Sequence, residues 1–425
     1  MLTLIVFCLL LLFGFPVALT LMASVLVFIG AYDLEALLET MPVNFYGSVE
    51  KNGLLAIPLF MLVGEVMNRG GLTIRLMAAA NVLVGRFRGG LAYVNLLTNA
   101  MAASILGSAV AQIAIMSKVM IPQMHKRGYD KGFSAALTIM GGLLGPIIPP
   151  SMLMIIYGVL AYQSISALFV AGIIPGIILF FSFGIVIYII GLRHDLPKEE
   201  WQPVKKSAAI LLAGLVPGLI PIVVIVGIIA GIMTPTESGA VASILAFFMG
   251  MCVYRNIGFS DIPDILQSVA INTAVITSLI AAASTFGWVL TFEGIPDMMV
   301  DAIIGTTNSP LVFLLLVNLL MLFLGMFIET ISILIIIIPI LLPAAESLGV
   351  NLIHFGVVAS LGTVVGLITP PVGPGLYIAM LEAKIPLKKI LDWLFPFFIA
   401  LIGAIAIINI FPLLSTWLPE LFGLA

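Results

Sequence analysis

The chain has 425 residues, of which 62% are hydrophobic and 9% are charged, and its formal net charge at pH 7 is −3. Soluble domains carry about 25% charged residues, so this composition excludes a soluble domain and indicates a polytopic membrane protein. The small net charge does not favour a nucleic-acid partner, and the isolated Cys8 and Cys252 give neither a disulfide framework nor a metal-binding spacing.

Long apolar stretches follow one another along the whole chain. Several exceed the roughly 20 residues that span a bilayer, so we expect some to be kinked, tilted or folded back. No basic residue precedes the first stretch, which favours a membrane segment over a cleaved signal peptide. The stretches lie at about 2–30, 53–68, 91–124, 133–160, 165–192, 207–233, 238–254, 265–292, 310–345, 353–381 and 390–414.

A series of Pro and Gly residues occurs twice in the chain, the second time at residue numbers higher by 221. Such positions are unlikely to keep one offset by chance, so we interpret the chain as an internal duplication. Paired repeats are typical of secondary transporters. The pairs are Pro122 and Pro343, Gly128 and Gly349, Gly141 and Gly362, Gly145 and Gly366, Pro149 and Pro370, and Pro150 and Pro371.

The charges of equivalent loops predict that the two repeats have opposite orientations in the membrane. Residues 125–131 contain three Lys or Arg, whereas the equivalent residues 346–352 contain none. After the double prolines the order is reversed, because residues 161–166 are uncharged and residues 384–389 contain three lysines. Basic loops stay cytoplasmic, so the predicted fold class is an all-α polytopic membrane protein with an inverted repeat.

The duplication also predicts the division of the chain. The first repeat is expected at 1–192 and the second at 207–425. Between them lies the most polar part of the sequence, residues 193–206, which we interpret as a cytoplasmic linker.

Two apolar stretches at equivalent positions predict re-entrant helical hairpins. Residues 91–124 have basic residues on both flanks, so this segment is expected to enter and leave the membrane from the cytoplasmic side, with its tip at 104–109. Residues 310–345 have no basic flank and are expected to form the mirror hairpin from the outer side, with their tip at 325–330. Two ordinary pairs of membrane-spanning helices are the alternative.

Each hairpin precedes a helix that a double proline is expected to break, at about 133–160 and 353–381. Proline lacks an amide donor and clashes with the preceding turn, so carbonyl oxygens near each break lose their helical partners. Such oxygens, together with a Ser or Thr hydroxyl, form the oxygen cage that a small hard cation prefers. Half-helix N-termini beside them favour an anionic substrate. The alternative is that each double proline only kinks its helix.

Glu329 is the most informative charged residue of the sequence. It lies at the predicted tip of the second hairpin within an apolar run, where a buried charge costs at least about 2.5 kcal/mol. We interpret it as a contact for a substrate hydroxyl or ammonium group, or as compensation for a bound cation, rather than as an interfacial carboxylate. Glu237 is interpreted as part of a helix cap with a neighbouring threonine, and Glu65 and Arg69 as a helical i, i+4 pair.

Five stretches of the sequence carry a family resemblance; they are Leu54–Met61, Lys126–Asp130, Gly145–Ser151, Thr234–Glu237 and Gly366–Gly373. Together they resemble the large membrane (M) subunit of tripartite ATP-independent periplasmic (TRAP) transporters, over essentially the whole chain. Members of that family import organic acids, such as C4-dicarboxylates and sialic acids, across the bacterial inner membrane with a sodium gradient. The resemblance implies two partners, a periplasmic substrate-binding (P) protein and a small four-helix membrane (Q) subunit carried by a separate chain.

The resemblance further implies an elevator mechanism, in which the hairpins and broken helices move together against the remaining helices. It implies at least two sodium sites, each between a hairpin and its broken helix, and a carboxylate substrate at the hairpin tips. The sodium ligands carried over are Ser104 or Ser108 with Gly145, Ile148 and Pro150, and Thr330 with Gly366, Thr369 and Pro371. The substrate contacts carried over are Ser108, Ser151 and Glu329.

The sequence departs from the family pattern at three places. Gly107–Ala109 stands where the family has a pair of small hydroxyl residues, Glu329 stands where it has aspartate, and Ser360–Thr363 stands where it has an asparagine. These positions lie at the substrate pocket that the family implies, so they bear on which acid is carried rather than on the class of protein.

The predicted function is sodium-coupled secondary import of an organic acid by the transport subunit of a TRAP complex in the bacterial inner membrane. The alternative is a stand-alone sodium- or proton-coupled carboxylate symporter of the same fold that needs no binding protein. An intramembrane enzyme is not favoured, because the sequence has no His-Glu-x-x-His metal pair, no Gly-x-Ser-x-Gly elbow and no pair of intramembrane aspartates.

Overall fold

The computed structural model describes residues 2–194, 196–197 and 204–424 of the chain. In these residues all regular structure is helical and no strand occurs, which confirms the predicted all-α class. Part of the predicted linker, residues 195 and 198–203, lies outside the described residues.

The first half of the chain begins with two helices, because the first apolar stretch is interrupted at 13–16, where Gly14 has a φ of 78°. A short 3-10 helix, Asn52–Leu55, leads into the fourth α-helix. The helices of this half are α1 Leu2–Leu12, α2 Val17–Ala31, α3 Leu37–Val49, α4 Ala56–Arg69, α5 Leu72–Val84, α6 Gly90–Leu106, α7 Ala109–Lys126, α8 Lys131–Gly142, α9 Met152–Leu160, α10 Ile165–Ala171 and α11 Ile173–Arg193.

The second half contains the longest helix of the described residues, which has 31 residues. At 1.5 Å per residue that helix is about 46 Å long, more than the roughly 30 Å of a hydrocarbon core. The helices of this half are α12 Val204–Ile229, α13 Pro235–Phe248, α14 Ile262–Phe292, α15 Ile295–Thr306, α16 Pro310–Gly325, α17 Thr330–Ser347, α18 Leu352–Gly366, α19 Pro374–Ala383, α20 Leu387–Ile410 and α21 Leu413–Leu421. A π-helical turn, Met249–Val253, and a 3-10 turn, Phe259–Asp261, connect α13 to α14.

Five helices of the described residues are long and apolar enough to cross a membrane, or six if the bent pair formed by α4 and α5 is counted as one span. The two members of that pair meet at an angle of 70°. Several apolar helices of 10–17 residues are shorter than a full crossing. This mixture agrees with the expectation that parts of the apolar stretches are bent or folded back.

The helices repeat along the chain as the Pro and Gly pattern predicts. α7 and α17 begin at Ala109 and Thr330 and end at Lys126 and Ser347, so both ends differ by 221 residues. α8 and α18 begin at Lys131 and Leu352, with the same offset. The duplication found in the sequence is therefore a duplication of helical elements.

The paired Pro and Gly residues differ in what they do to the helices. Gly128 and Gly349 follow the ends of α7 and α17 with φ values of 87° and 66°, a left-handed conformation that glycine adopts without strain. Pro122 and Pro343, in contrast, lie inside α7 and α17. The prediction that they break the helices is wrong, since these helices continue past them.

Both double prolines interrupt their helices. α8 ends at Gly142 and α9 begins at Met152, while α18 ends at Gly366 and α19 begins at Pro374. The Pro149–Pro150 and Pro370–Pro371 peptide bonds are both cis. The predicted broken helices are thus confirmed, and the alternative of two merely kinked helices is wrong.

The two repeats pack against each other through their hairpins and broken helices. The second arm of the first hairpin, α7, packs on α19, and the second arm of the other hairpin, α17, packs on α9. The Tyr157 hydroxyl of α9 donates a hydrogen bond to the Leu352 carbonyl at the start of α18, at 2.5 Å. The long helix α14 contacts α2, α3 and α4 on one side and α17 on the other. It therefore joins the flanking helices to this central group.

Candidate functional site

A hydrogen bond joins each hairpin tip to the broken helix of its own repeat. The amide of Met152, at the start of α9, donates to the Gly107 carbonyl at the first tip, at 3.3 Å. The amide of Gly373, just before α19, donates to the Met326 carbonyl at the second tip, at 3.0 Å. Each tip therefore lies against the break of its own half, as the sequence predicts.

Close backbone approach supports this arrangement in both repeats. Gly107 has a φ of 59°, and a Cβ placed on it would lie 3.2 Å from the Met152 amide nitrogen. In the second repeat a Cβ on Gly325 would lie 2.8 Å from the Cα of Gly366 and 2.9 Å from the Thr363 carbonyl oxygen. Only glycine lets the two backbones come this close.

The first break is buried and leaves several carbonyl oxygens free. Within the described residues, no hydrogen bond reaches the carbonyls of Gly145, Ile148 and Pro150. The Ser151 hydroxyl donates to the Pro146 carbonyl and accepts a hydrogen bond from the Met154 amide at 3.4 Å. Ser151 therefore caps α9.

The second break is more open than the first. Pro370 and Pro371 are exposed, whereas Pro149 and Pro150 are buried. The Thr369 hydroxyl donates to the Val365 carbonyl at 2.7 Å, so both lone pairs of its oxygen stay available. The predicted ligands of the two sites thus lie in equivalent positions but in different surroundings.

A cavity of about 500 Å³ lies between the two hairpin tips and the flanking helices α4 and α14. Ser108 of the first tip and Glu329 of the second tip both line it, although they are 221 residues apart in sequence. Its apolar wall comes from both repeats and includes Leu106, Met152 and Ile331. The cavity is the one place in the described residues where two predicted substrate contacts meet.

The N-terminus of α7 opens onto this cavity without a cap. Ser108 precedes the helix, but its hydroxyl makes no hydrogen bond with any described residue. The first amides of α7, those of Ala109, Val110 and Ala111, have no acceptor in the described chain, and Val110 and Ala111 line the cavity. Unsatisfied amides and the helix dipole make such an end attractive to an anion.

The equivalent N-terminus of α17 is capped by the protein itself. Glu329 occupies the position equivalent to Ser108, and its Oε2 accepts hydrogen bonds from the amides of Ile331 at 3.0 Å and Ser332 at 3.3 Å. The Thr330 hydroxyl donates to the other carboxylate oxygen at 3.1 Å. Glu329 was interpreted as a substrate or cation contact; the structure adds a capping role that explains why a carboxylate lies at this depth.

The other predicted site residues lie outside the cavity lining. Ser104 lies on α6, one turn before the tip, and Thr330 is buried at the start of α17. Ser151 is fully buried behind Met152, which takes its place in the wall. Ser104, Ser151 and Thr330 therefore stay predictions, and only Ser108 and Glu329 face the space between the tips.

Two structural interpretations of charged residues are confirmed. Thr234 and Glu237 form a capping box at the start of α13, with the Glu237 carboxylate accepting from the Thr234 amide at 2.8 Å. Arg69 pairs with Glu65 at 2.7 Å on α4, and Arg69 also lies 3.9 Å from Asp264 of α14. These ion pairs lie at one end of the cavity, because Glu65 belongs to its lining.

Sequence analysis missed several polar residues of the cavity and of its surroundings. Asn68 of α4 and Ser268 and Asn272 of α14 line the cavity opposite the tips. A polar residue within an apolar run would have been a sufficient signal for these positions. The same signal would have found Gln112, a fully buried residue of α7 next to the first break.

The chain is similar to known transport proteins over almost its whole length. The family model described as "Tripartite ATP-independent periplasmic transporter, DctM component" matches residues 4–414. The sialic acid TRAP transporter large permease protein SiaM of Vibrio cholerae serotype O1 is 34% identical over 421 residues, covering 96% of each chain. The C4-dicarboxylate TRAP transporter large permease protein DctM of Pseudomonas aeruginosa is 33% identical over 387 residues, covering 91% of each chain.

Two further similarities extend these findings. The 2,3-diketo-L-gulonate TRAP transporter large permease protein YiaN of Escherichia coli is 32% identical over 402 residues, covering 94% of each chain. The crystal structure of the Alcanivorax borkumensis YdaH transporter superposes with a TM-score of 0.65 at 14% identity, covering 92% of this chain and 90% of that one. The second similarity concerns the fold alone.

Proposed function

The chain belongs to the DctM component family of tripartite ATP-independent periplasmic transporters, and from that membership we propose that it imports an organic acid together with sodium ions. It is a multi-pass inner-membrane permease subunit rather than an enzyme, and its family supports secondary transport of carboxylates. The substrates named for three relatives are sialic acid, C4-dicarboxylates and 2,3-diketo-L-gulonate, which are all organic acids.

The observation that carries the proposed substrate class is the difference between the two equivalent helix N-termini. At α17 the Glu329 carboxylate accepts from the first-turn amides, whereas at α7 the equivalent amides face the cavity without a partner in the described residues. A carboxylate of the substrate would bind α7 as the Glu329 carboxylate binds α17. Charge-assisted hydrogen bonds of this kind are the strong ones.

The oxygen atoms at the breaks support sodium as the coupling ion. The first break offers the carbonyls of Gly145, Ile148 and Pro150, and the second offers the Thr369 hydroxyl. Oxygen ligands suit hard cations, and the proposed sodium ions are carried with the substrate rather than kept by the protein.

The position of the cavity supports an elevator mechanism. One wall is made by the hairpin tips, which hydrogen-bond to the broken helices, and the opposite wall by α4 and α14. A substrate bound there would touch both groups of helices. Sliding of the hairpins and broken helices past α4 and α14 would then carry the substrate across the membrane.

The proposed complex contains two partners, a small four-helix membrane (Q) subunit and a periplasmic substrate-binding (P) protein. A thermal-shift screen of organic acids on the cognate binding protein would first identify the substrate. Uptake would then be measured in proteoliposomes that hold this chain with the Q subunit, with and without binding protein and with and without a sodium gradient.

We expect uptake only when both the binding protein and the sodium gradient are present. Uptake without the binding protein would favour the stand-alone symporter. Uptake that follows a proton gradient and ignores sodium would contradict the proposed coupling ion.

Removal of single hydroxyls tests the proposed sodium sites. Thr369→Val and Ser108→Ala each remove one oxygen, and each is expected to raise the sodium concentration for half-maximal uptake by about tenfold, since one such ligand is worth about 1.4 kcal/mol. Thr285→Val is a matched control, because the Thr285 hydroxyl also donates to a carbonyl one turn earlier, at 2.8 Å, but within α14. Unchanged sodium dependence in both site variants would refute the assignment.

Glu329→Gln separates the charge of this residue from its capping role. Glutamine keeps one oxygen that accepts from the Ile331 and Ser332 amides, so the melting temperature is expected to change little. The uptake rate is expected to fall at least about tenfold, because the cavity loses its negative charge. Glu237→Gln is the control, since it changes a capping carboxylate outside the cavity. A Glu329→Gln variant with full affinity and rate would remove this charge from the mechanism.

A further inference from the structure

Gln112 lies on α7 one turn after Ser108, and its side chain is completely buried. Its Nε2 donates to the Asn99 carbonyl at 2.7 Å, to the Asn99 Oδ1 at 3.0 Å and to the Gly141 carbonyl at 3.3 Å. Three acceptors surround this end of the amide, so it must be the NH₂ group. The orientation of the Gln112 side chain is therefore fixed by its neighbours.

The hydrogen-bond network continues away from the site and holds Asn99 in turn. The Asn99 amide group donates to the Asn95 Oδ1 at 2.7 Å, and the Asn95 amide group donates to the Thr138 hydroxyl at 2.8 Å. All four side chains are buried. The network joins α6, α7 and α8 and directs the other end of the Gln112 amide toward the first break.

The Oε1 of Gln112 has no donor among the described residues. A Cβ placed on Gly145 would lie 2.7 Å from this oxygen and 3.4 Å from the carbonyl carbon of Ser108. The oxygen thus lies beside the two residues that bound the proposed first sodium site. An unpartnered buried amide oxygen costs about 1–3 kcal/mol, and a bound cation would recover that cost.

We propose that the Gln112 Oε1 is a direct ligand of the sodium ion in the first repeat. The inference rests on the proposed sodium coupling and extends it to a residue outside the hairpin tip and the double proline. A neutral amide oxygen suits a monovalent hard cation, because it adds a ligand without adding charge.

The network is specific to the first repeat. At the positions equivalent to Asn95, Asn99 and Gln112 the second repeat has Leu316, Leu320 and Ile333. A hairpin of this kind therefore folds with apolar residues at these positions. The first sodium site gains an oxygen that the second site lacks, so the two sites are expected to differ in affinity.

The test measures sodium binding and sodium-dependent uptake in the same variant. The complex of this chain with its Q subunit is melted at increasing NaCl, with choline chloride keeping the ionic strength constant. Gln112→Met keeps the length of the side chain and removes the oxygen. The sodium concentration that gives half of the thermal stabilisation is expected to rise at least about tenfold, and the sodium concentration for half-maximal uptake is expected to rise with it.

Two further variants keep the inference falsifiable. Thr138→Val breaks the far end of the network but leaves the Gln112 oxygen, so it is expected to lower the melting temperature without moving the sodium midpoint. Gln112→Asn keeps an amide and withdraws the oxygen by about one carbon–carbon bond, and it replaces Gln112→Met if that variant does not fold. It is expected to raise the sodium midpoint in the same way.

The outcomes separate this inference from the proposed function. If the wild-type complex shows no sodium-dependent stabilisation or uptake, sodium coupling itself is wrong and the inference with it. If the wild type responds to sodium and the folded Gln112 variant has a midpoint within twofold of it, only the role of Gln112 is overturned. A midpoint that Thr138→Val shifts as strongly as the Gln112 variant also overturns it, because the effect would then come from packing.

Discussion

Ser108→Glu is expected to abolish transport and to leave the protein folded. Glutamate is the residue found at the equivalent position 329, where its carboxylate accepts hydrogen bonds from the Ile331 and Ser332 amides. At position 108 it would reach the open amides of α7 in the same way and take the place of the substrate carboxylate. A tethered group acts at a millimolar effective concentration, so the uptake rate is expected to fall below about 1% of the wild-type rate.

The stability of the same variant gives an independent measurement. A new cap at the start of α7 is expected to add about 0.5–2 kcal/mol, which would raise the melting temperature of the purified complex. Ser108→Gln is the matched control, because it adds the same bulk without the charge and is expected to retain part of the uptake. Equal loss in Ser108→Glu and Ser108→Gln would attribute the effect to size, and wild-type uptake in Ser108→Glu would exclude the α7 terminus as the carboxylate site.

Gly325→Val is expected to destroy the contact between the second hairpin and its broken helix. Even a Cβ at this position would lie 2.8 Å from the Gly366 Cα and 2.9 Å from the Thr363 carbonyl oxygen, and these are backbone atoms that cannot rotate away. Overpacking in a core costs about 1–3 kcal/mol and more when the backbone has to move. We therefore expect a lower melting temperature and uptake at the background level.

Gly403→Ala is the control for this substitution. Gly403 lies within α20, and a Cβ there would meet no atom within 4 Å. Alanine is the better helix former, so this variant is expected to keep or slightly raise the melting temperature and to transport normally. A Gly325→Val protein with wild-type stability and uptake would mean that the hairpin and α18 do not pack this closely in the membrane.

The broken helices and the hairpin tips could be predicted because their causes are local. A double proline removes amide donors whatever surrounds it, and the tip at Gly107 needs a left-handed residue, which glycine supplies. Local chemistry misled us at Pro122 and Pro343, which lie inside helices that continue past them. A helix can keep a proline where neighbouring helices hold it in place.

The roles of individual polar residues were harder to predict, because they depend on contacts between distant segments. Glu329 was found from its unusual place in an apolar run, but its capping of α17 depends on where the helix begins. Ser151 was chosen from the double-proline motif, yet its hydroxyl bonds to the Pro146 carbonyl and Met152 takes its place in the cavity. Asn272, from a helix more than 100 residues after that motif, lines the cavity without any signal in its own neighbourhood.

The sequence by itself determined the membrane class, the duplication at an offset of 221 residues and the positions of both helix breaks. It could do so because hydropathy, charge, and the backbone limits of Pro and Gly act within a few residues along the chain. Only the tertiary structure decided that Ser108 and Glu329 face one cavity, that the second is capped from within and the first is open, and that the Gln112 oxygen points to Gly145. These features follow from the packing of segments that are far apart in sequence, and packing directions are not written in any one of them.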